Sequence, residues 1–241
     1  MVYNWIKQLH TRLFPPICRL CLAPTGRNGG LCPECQRELP WLRHTCAGCA
    51  IPLPPETSAA LCPHCQKTPS PLNDCQALFG YLDPVAQWIQ QLKFQQDLTA
   101  ARLLGELLAQ RVPANNNNRP VTLLPVPLHR ARLRTRGYNQ SLEIARPLTR
   151  KGYSLKLDIC RKHKATAAQS DLSARERRHN VRGAFSATRS LQGEHFLLVD
   201  DVLTTGATLN ELARTLKNAG AERVEAWVIA RTVDREHGGG Y

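Results

Sequence analysis

The chain has 241 residues, 42% of them hydrophobic, enough for one well-buried domain plus a small module, and this composition excludes a disordered or fibrous protein. Its net charge of +13 is concentrated: residues 120–189 hold 16 Lys/Arg against 4 Asp/Glu. Such a local excess calls for a polyanionic ligand, either a phosphorylated small molecule or a nucleic-acid backbone, with an ordinary solvated basic face as the plain alternative.

Trp5, Leu9 and Leu13 fall at helical spacing and predict a short amphipathic helix over 4–13, stopped by Pro15 and Pro16. The apolar stretches before Cys18 are short and interrupted by Lys7, His10 and Arg12, so no export signal and no membrane span is expected. The chain is therefore read as cytoplasmic, and its ten cysteines as metal ligands rather than disulfides, because the cytosol keeps thiols reduced.

Eight of those cysteines form four Cys-x2-Cys knuckles. Cys18, Cys21, Cys32 and Cys35 make one set, and Cys46, Cys49, Cys62 and Cys65 a second. A two-residue gap lets both sulfurs of a knuckle reach one ion, and two knuckles close a tetrahedron, as structural Zn2+ requires. Two zinc ions are expected. Iron–sulfur ligation and a redox disulfide are the competing uses, and spacing alone also admits interleaved pairing of the knuckles. His44 and His64 are surplus to these sets, and Cys75 and Cys160 read as plain buried thiols.

Beyond the cysteines, 76–82 reads as a strand, 85–94 and 99–111 as helices, and 113–119, with four Asn residues, as a surface loop. Then follow a strand over 121–126, a basic loop over 127–137, a helix over 139–151 and a short strand near 157–160. A second basic stretch, 161–182, is helical over 173–180. The chain ends with a strand over 195–200, a helix over 207–219 capped by Gly220, and a strand over 223–230. This alternation predicts an α/β fold with a mostly parallel sheet flanked by helices, and places ligands beyond the carboxyl ends of its strands. Residues 1–70 are expected to form the zinc module and 71–241 the α/β domain.

Leu197-Leu198-Val199-Asp200-Asp201 runs into a loop of Thr204, Thr205 and Gly206 and then a helix beginning Ala207-Thr208. Backbone N–H groups of that loop and the positive end of the helix suit a phosphate, with threonine hydroxyls as further donors. Asp200 and Asp201 repel phosphate but accept hydrogen bonds from sugar hydroxyls. Together these features describe a site for a ribose 5-phosphate.

This segment resembles the phosphoribosyl pyrophosphate signature of type I phosphoribosyltransferases. The resemblance implies that Asp200 and Asp201 hold the ribose hydroxyls, stabilise positive charge on the ring if catalysis occurs, and that Thr204, Thr205, Gly206, Ala207 and Thr208 hold the 5-phosphate. Leu124-Pro125-Val126-Pro127-Leu128-His129-Arg130, Arg136-Gly137-Tyr138-Asn139-Gln140, and Thr166, Gln169, Leu172, Arg177, Asn180 and Gly183-Ala184-Phe185 extend the likeness. With the cysteine-rich start, they resemble the ComF/GntX-like family of competence and DNA-utilisation proteins.

By that resemblance Pro125–His129 contacts pyrophosphate and Ala165–Arg178 closes over the ligand. Lys93, Arg130, Arg134, Arg136 and Arg177 become candidates to neutralise the diphosphate, Arg136 and Arg177 foremost, together with Mg2+. Arg130, Arg132 and Arg134 are assigned to single-stranded DNA, because the basic excess is larger than one diphosphate requires. A DNA-uptake helicase is an implied partner. The competing expectation is an active phosphoribosyltransferase that releases pyrophosphate onto an unidentified nucleobase or amine.

Overall fold

A computed structural model of the protein describes residues 16–25, 30–115, 120–164 and 181–232. The expected helices over 4–13 and 173–180 lie outside the described residues. The boundary drawn from the cysteine pattern falls at residue 70, whereas packing gives compact units of 1–40 and 41–241. In the first unit, Ile17 bridges to Pro24 and Cys18 to Gly30, and helix α1 (Pro33–Arg37) starts at Cys32, whose sulfur accepts from the Cys35 N–H. Proline at the first helical position fits this start, since its missing N–H would be unpaired there anyway.

The second unit opens with the other cysteine set, including helix α2 (Pro63–Lys67), and continues into the sheet. β1 (Asp74–Gly80), β2 (Val121–Pro125), β3 (Ser154–Leu155), β6 (His195–Leu203) and β7 (Arg223–Arg231) form one sheet in the order β1-β7-β6-β2-β3. Every neighbouring pair in it is parallel. β4 (Cys160–Lys162) and β5 (Phe185–Ala187) form a separate antiparallel ribbon. The apolar run of β6 is continuous rather than alternating because both faces of a parallel sheet are covered.

The edge strand β1 is not left bare. Trp41 bridges antiparallel to Phe79, and the Leu42 N–H donates to the Leu78 carbonyl at 3.0 Å. Covering an edge in this way removes a template for unwanted pairing. Leu42, Ala50 and Leu72 belong to the same buried cluster as Phe196, Leu198 and Val228, while Cys46, Cys62 and Cys65 form a cluster of their own, so the residues flanking the second cysteine set anchor it to the core of the sheet.

Helices α3 (Val85–Phe94) and α4 (Leu98–Arg111) carry the chain from β1 across to β2. α3 buries Val85, Trp88, Ile89 and Leu92, the spacing of one helical face. Asp97 caps α4 by accepting from the N–H groups of Thr99 and Ala100, each at 3.0 Å. The expected basic loop over 127–137 instead contains helix α5 (Arg130–Arg136), with His129 as its cap. Arginine is a good helix former, and four of them in seven positions carried that stretch past its lack of apolar periodicity. The expected helix over 139–151 divides into α6 (Gln140–Ala145) and a 3-10 turn (Arg146–Lys151) that begins near Pro147. α7 (Ala207–Asn218) ends as expected at Gly220, where φ is +104°. There the Ala221 N–H reaches the Leu216 carbonyl at 3.0 Å and the Gly220 N–H reaches that of Lys217 at 2.9 Å.

α4 and α6 pack closely at Gly105. A Cβ there would lie 2.5 Å from the Ile144 carbonyl oxygen and 2.9 Å from Pro147. Alanine in a helix interior ordinarily stabilises, but here it forces the two backbones apart. Gly105→Ala is expected to destabilise the protein by about 1–3 kcal/mol. The check is a urea unfolding midpoint that falls at unchanged slope; a raised midpoint would contradict the close approach.

Candidate functional site

The sheet order reverses direction between β2 and β6, because the chain leaves β2 for β3 on one side and β6 for β7 on the other. In open parallel sheets that is where a crevice forms beyond the carboxyl ends. Pro125 pairs with Val199, and the Val126 N–H donates to the Val199 carbonyl at 3.0 Å. The pairing of β2 with β6 ends there, and Pro127 and Leu128 line the crevice that opens beyond it. β6 itself continues to Leu203, beyond the expected end at residue 200, because β7 pairs with it as far as Leu203 opposite Arg231. Asp200 and Asp201 thus lie within a strand, on its unpaired edge.

Successive residues of a strand face opposite ways, and the two carboxylates have different partners. Asp200 Oδ1 accepts from the Ser141 hydroxyl at 2.9 Å and from the Asp201 N–H at 2.9 Å. Asp201 Oδ1 lies 3.0 Å from the Lys93 ammonium. Asp201 is 4% exposed, and its Oδ2 has no hydrogen-bond partner among the described residues. A buried carboxylate oxygen left in this way is an acceptor suited to a hydroxyl donor or a hard cation. Burial, followed by the neighbouring charge of Asp201, pushes the Asp200 carboxyl up to about 7, against the pull of Ser141, the Asp201 N–H and Lys93.

Thr204, Thr205 and Gly206 make the turn from β6 into α7. Gly206 has φ of +75°, a left-handed conformation that costs other residues energy. The N-cap of α7 is Gly206, without a side chain, the Thr205 hydroxyl accepts from the Ala207 N–H at 3.4 Å, and the first turn holds no acid, so the positive end of a 12-residue helix faces the turn without a resident negative charge.

The segment Arg136-Gly137-Tyr138-Asn139-Gln140 joins three walls of the crevice. Gly137 closes α5 at φ +81°. The Tyr138 hydroxyl donates to the Leu92 carbonyl on α3. The Asn139 side chain caps α6 by accepting from the Ser141 N–H at 3.0 Å and donates to the Val126 carbonyl at 3.1 Å. Arg136 donates to the Gln140 side chain at 2.7 Å. Each residue of the motif therefore has a mechanical task, and Ser141 is delivered to Asp200 as a result.

These walls enclose a cavity of about 770 Å³. Asp200, Asp201, Lys93, Arg136 and Thr204 through Thr208 all line it, together with Val126, Pro127 and Leu128. Arg132, assigned from sequence to DNA, lines this cavity as well, while Arg130 and Arg134 on the same helix are exposed. Arg177 and the segment Ala165–Arg178 lie outside the described residues.

Ser141 and Lys162 are among the lining residues that the sequence did not single out. Lys162 lies 5.5 Å from the centre of the Phe185 ring, and burial lowers its basicity. It sits among sixteen basic residues with nothing local to distinguish it. Four cations, Lys93, Arg132, Arg136 and Lys162, and two carboxylates thus line one cavity, an arrangement suited to an anion with a polar sugar.

The cysteine sets are sequential. Within Cys18, Cys21, Cys32 and Cys35, and within Cys46, Cys49, Cys62 and Cys65, all sulfurs lie within 4.8 Å of one another. Cys21 and Cys32 sulfurs are 3.7 Å apart and those of Cys49 and Cys62 3.8 Å apart. A tetrahedron with Zn–S bonds of about 2.3 Å has edges of about 3.8 Å. The Gly48 and Cys62 N–H groups donate to the Cys46 sulfur at 3.4 and 3.2 Å, as suits a thiolate. Among the described residues no cysteine is in a disulfide, and Cys75 and Cys160 are buried and belong to neither set.

Comparison with known proteins agrees with this construction. Residues 93–239 match the Phosphoribosyl transferase domain, and residues 9–66 match the Double zinc ribbon domain. The DNA utilization protein YhgH of Escherichia coli O157:H7 is 34% identical over 225 residues, covering 91% of this chain and 98% of that protein. The chain belongs to the ComF/GntX-like family. Competence protein F of Haemophilus influenzae is 35% identical over 213 residues, covering 85% of this chain and 91% of its own length. Competence protein ComFC of Streptococcus pneumoniae is 26% identical over 184 residues, covering 70% of this chain and 80% of its own length. This chain thus joins a phosphoribosyltransferase-like domain to a double zinc ribbon, and no helix among the described residues is long and apolar enough to cross a membrane.

The Lys93–Asp201 pair is the buried interaction within the site most open to test. The Lys93 side chain is 25% exposed and that of Asp201 5%. Lys93→Met should destabilise the protein by roughly 1–3 kcal/mol, since it strands a buried charge, and adding Asp201→Asn should recover part of that loss. A double-mutant cycle by denaturant unfolding reads the coupling directly, and additive effects would mean the pair is not formed.

Proposed function

We propose that the crevice binds phosphoribosyl pyrophosphate with Mg2+, and that the protein uses this site in DNA utilisation, in the cytoplasm. The observation that carries the reading is the orphaned Oδ2 of buried Asp201, lining the same crevice as the start of α7, whose first turn holds no acid. One feature waits for a donor and the other for an anion. A ribose 5-phosphate supplies both from one molecule.

Asp200 and Asp201 would accept from the ribose hydroxyls, and Asp201 Oδ2 would have its missing partner. The loop from Thr204 to Thr208 would hold the 5-phosphate with N–H and hydroxyl donors. Arg132, Arg136, Lys93 and Lys162 would take the diphosphate, with Arg177 as a further candidate, and Val126 to Leu128 would support it from the end of β2. Mg2+, when bound, supplies charge neutralisation on the diphosphate oxygens.

The second reading is catalysis, favoured by the two carboxylates held beside the sugar position. Positive charge growing on the ring would be stabilised by Asp200 and Asp201, while the cations stabilise the departing pyrophosphate. In the ligand-free protein an ionised Asp200 is held against its preference. Its folded value of about 7 lies above the ordinary 3.8, so its charge costs stability above about pH 7, and that cost disappears as pH falls towards 3.8.

Titration calorimetry tests the site. Wild-type protein should bind phosphoribosyl pyrophosphate in Mg2+, and Asp200→Asn with Asp201→Asn should weaken binding by at least about 100-fold. Affinity should rise between about pH 6 and pH 8 as Asp200 ionises, and Asp200→Asn should flatten that rise. Equal affinity of wild type and the double variant would overturn the assignment.

Single-stranded DNA is the proposed second ligand, with a DNA-uptake helicase as the proposed protein partner. Support comes from the basic excess, from exposed Arg130 and Arg134 on α5, and from relatives named for competence and DNA utilisation. Binding should be backbone-driven and salt-sensitive, with little sequence preference. Arg130→Ala with Arg134→Ala should weaken it and reduce the salt slope by about 0.7 for each phosphate no longer neutralised, leaving phosphoribosyl pyrophosphate affinity unchanged. Fluorescence anisotropy across a salt series measures this, and a flat salt response would remove the DNA claim.

A further inference from the structure

A hydrogen-bonded relay ties the second cysteine set to the residue before the phosphate loop, and a residue shortly after that set holds the loop's other side. Arg231, the last residue of β7, donates from Nε to the Cys49 carbonyl at 2.9 Å and from a terminal nitrogen to the Leu203 carbonyl at 3.2 Å. Cys49 belongs to the second set, and Leu203 is the residue immediately before Thr204. The same nitrogen reaches the Thr232 hydroxyl at 3.2 Å, and the Thr232 N–H donates back to the Leu203 carbonyl at 3.1 Å. Leu203 and Thr232 both line the cavity.

The other side of the loop is held by the segment that follows the set. Ser70, five residues after Cys65, donates from its hydroxyl to Asn210 Oδ1 at 3.2 Å. Asn210 in turn donates its N–H to the Gly206 carbonyl at 2.9 Å, and its side-chain nitrogen lies 3.5 Å from where a Cβ on Gly206 would stand. The loop from Thr204 to Thr208 is thus bracketed: Arg231 holds the residue before it, and Ser70 holds the helix turn that completes it.

A guanidinium is a rigid planar fork, so its two acceptors cannot move independently. If the tetrahedron of the second set relaxes, the Cys49 carbonyl shifts and Arg231 loses either that acceptor or Leu203. The phosphate loop would then have to be ordered at the moment of binding, which lowers affinity. We propose that metal occupancy of Cys46, Cys49, Cys62 and Cys65 and ligand occupancy of the phosphate loop are coupled, with Arg231 as the positioning residue between them. Coupling of this kind is reciprocal: metal tightens ligand binding, and ligand slows metal loss. The proposal rests on the phosphoribosyl pyrophosphate reading of the loop.

The test uses full-length, zinc-loaded protein and two readouts, calorimetry with phosphoribosyl pyrophosphate and Mg2+, and zinc release to a chromophoric chelator. In wild type, saturating ligand should slow release of one zinc equivalent, by a factor within the roughly 5- to 150-fold range of such couplings. Arg231→Gln should retain its zinc, lose about ten-fold in ligand affinity, and release zinc at the same rate with and without ligand. Wild-type binding that leaves zinc release unaltered overturns the coupling alone, as does an Arg231→Gln protein with unchanged affinity and protection. Absence of wild-type binding overturns the site reading and the coupling with it. Should Arg231→Gln fail to fold, Ser70→Ala removes the other arm and should reduce affinity and protection in the same direction; no change in either would overturn the proposal.

Discussion

Beyond the pairing of Pro125 with Val199, β2 and β6 separate, and the rest of the site depends on that parting. β2 stops pairing there, while β7 keeps β6 extended to Leu203. Asp200 and Asp201 are thereby fixed in a rigid strand yet left with an open edge. Their opposite facing directs one to Ser141 on α6 and the other to Lys93 on α3. A ligand entering the crevice meets carboxylates that the backbone has already placed, which reduces what binding must spend on ordering.

Charge is arranged around this opening in two groups. Arg132, Arg136, Lys93 and Lys162 line the cavity, while Arg130 and Arg134 on the helix that supplies two of them remain exposed. One basic helix thus presents cations both to the crevice and to the surface. That division is what a protein needs if it handles a phosphorylated small ligand and a nucleic-acid backbone at neighbouring positions. The second cysteine set, flanked by residues of the sheet's core and reaching Leu203 through Arg231, belongs to the same construction rather than to an independent appendage.

Much of this was legible in the chain because local signals agreed with tertiary demands. The knuckle spacing gave both tetrathiolate sets, the apolar run before the acid pair gave β6, and Gly220 gave the end of α7. α3 came out at its expected ends because its apolar spacing is regular. Other features had no local signature. Helix α5 has no buried residue, so the periodicity that marks a helix was missing. Arg132 differs from Arg130 and Arg134 only in which way the helix turns it. Ser141 and Lys162 come to the site from elements 59 and 38 positions before Asp200, and only the three-dimensional path brings them there. The strand extension past residue 200 depended on β7, a partner the local pattern does not reveal.

The functional reading requires the crevice between β2 and β6 to be the phosphoribosyl site. The most direct measurement is a crystal structure of the zinc-loaded protein with Mg2+ and phosphoribosyl pyrophosphate. The predicted result is a ligand whose sugar hydroxyls lie within hydrogen-bond distance of Asp200 and of Asp201 Oδ2, with its 5-phosphate on the backbone N–H groups of residues 204–208. A ligand bound elsewhere, or an Asp201 Oδ2 still without a partner in a crystal saturated with ligand, would contradict it.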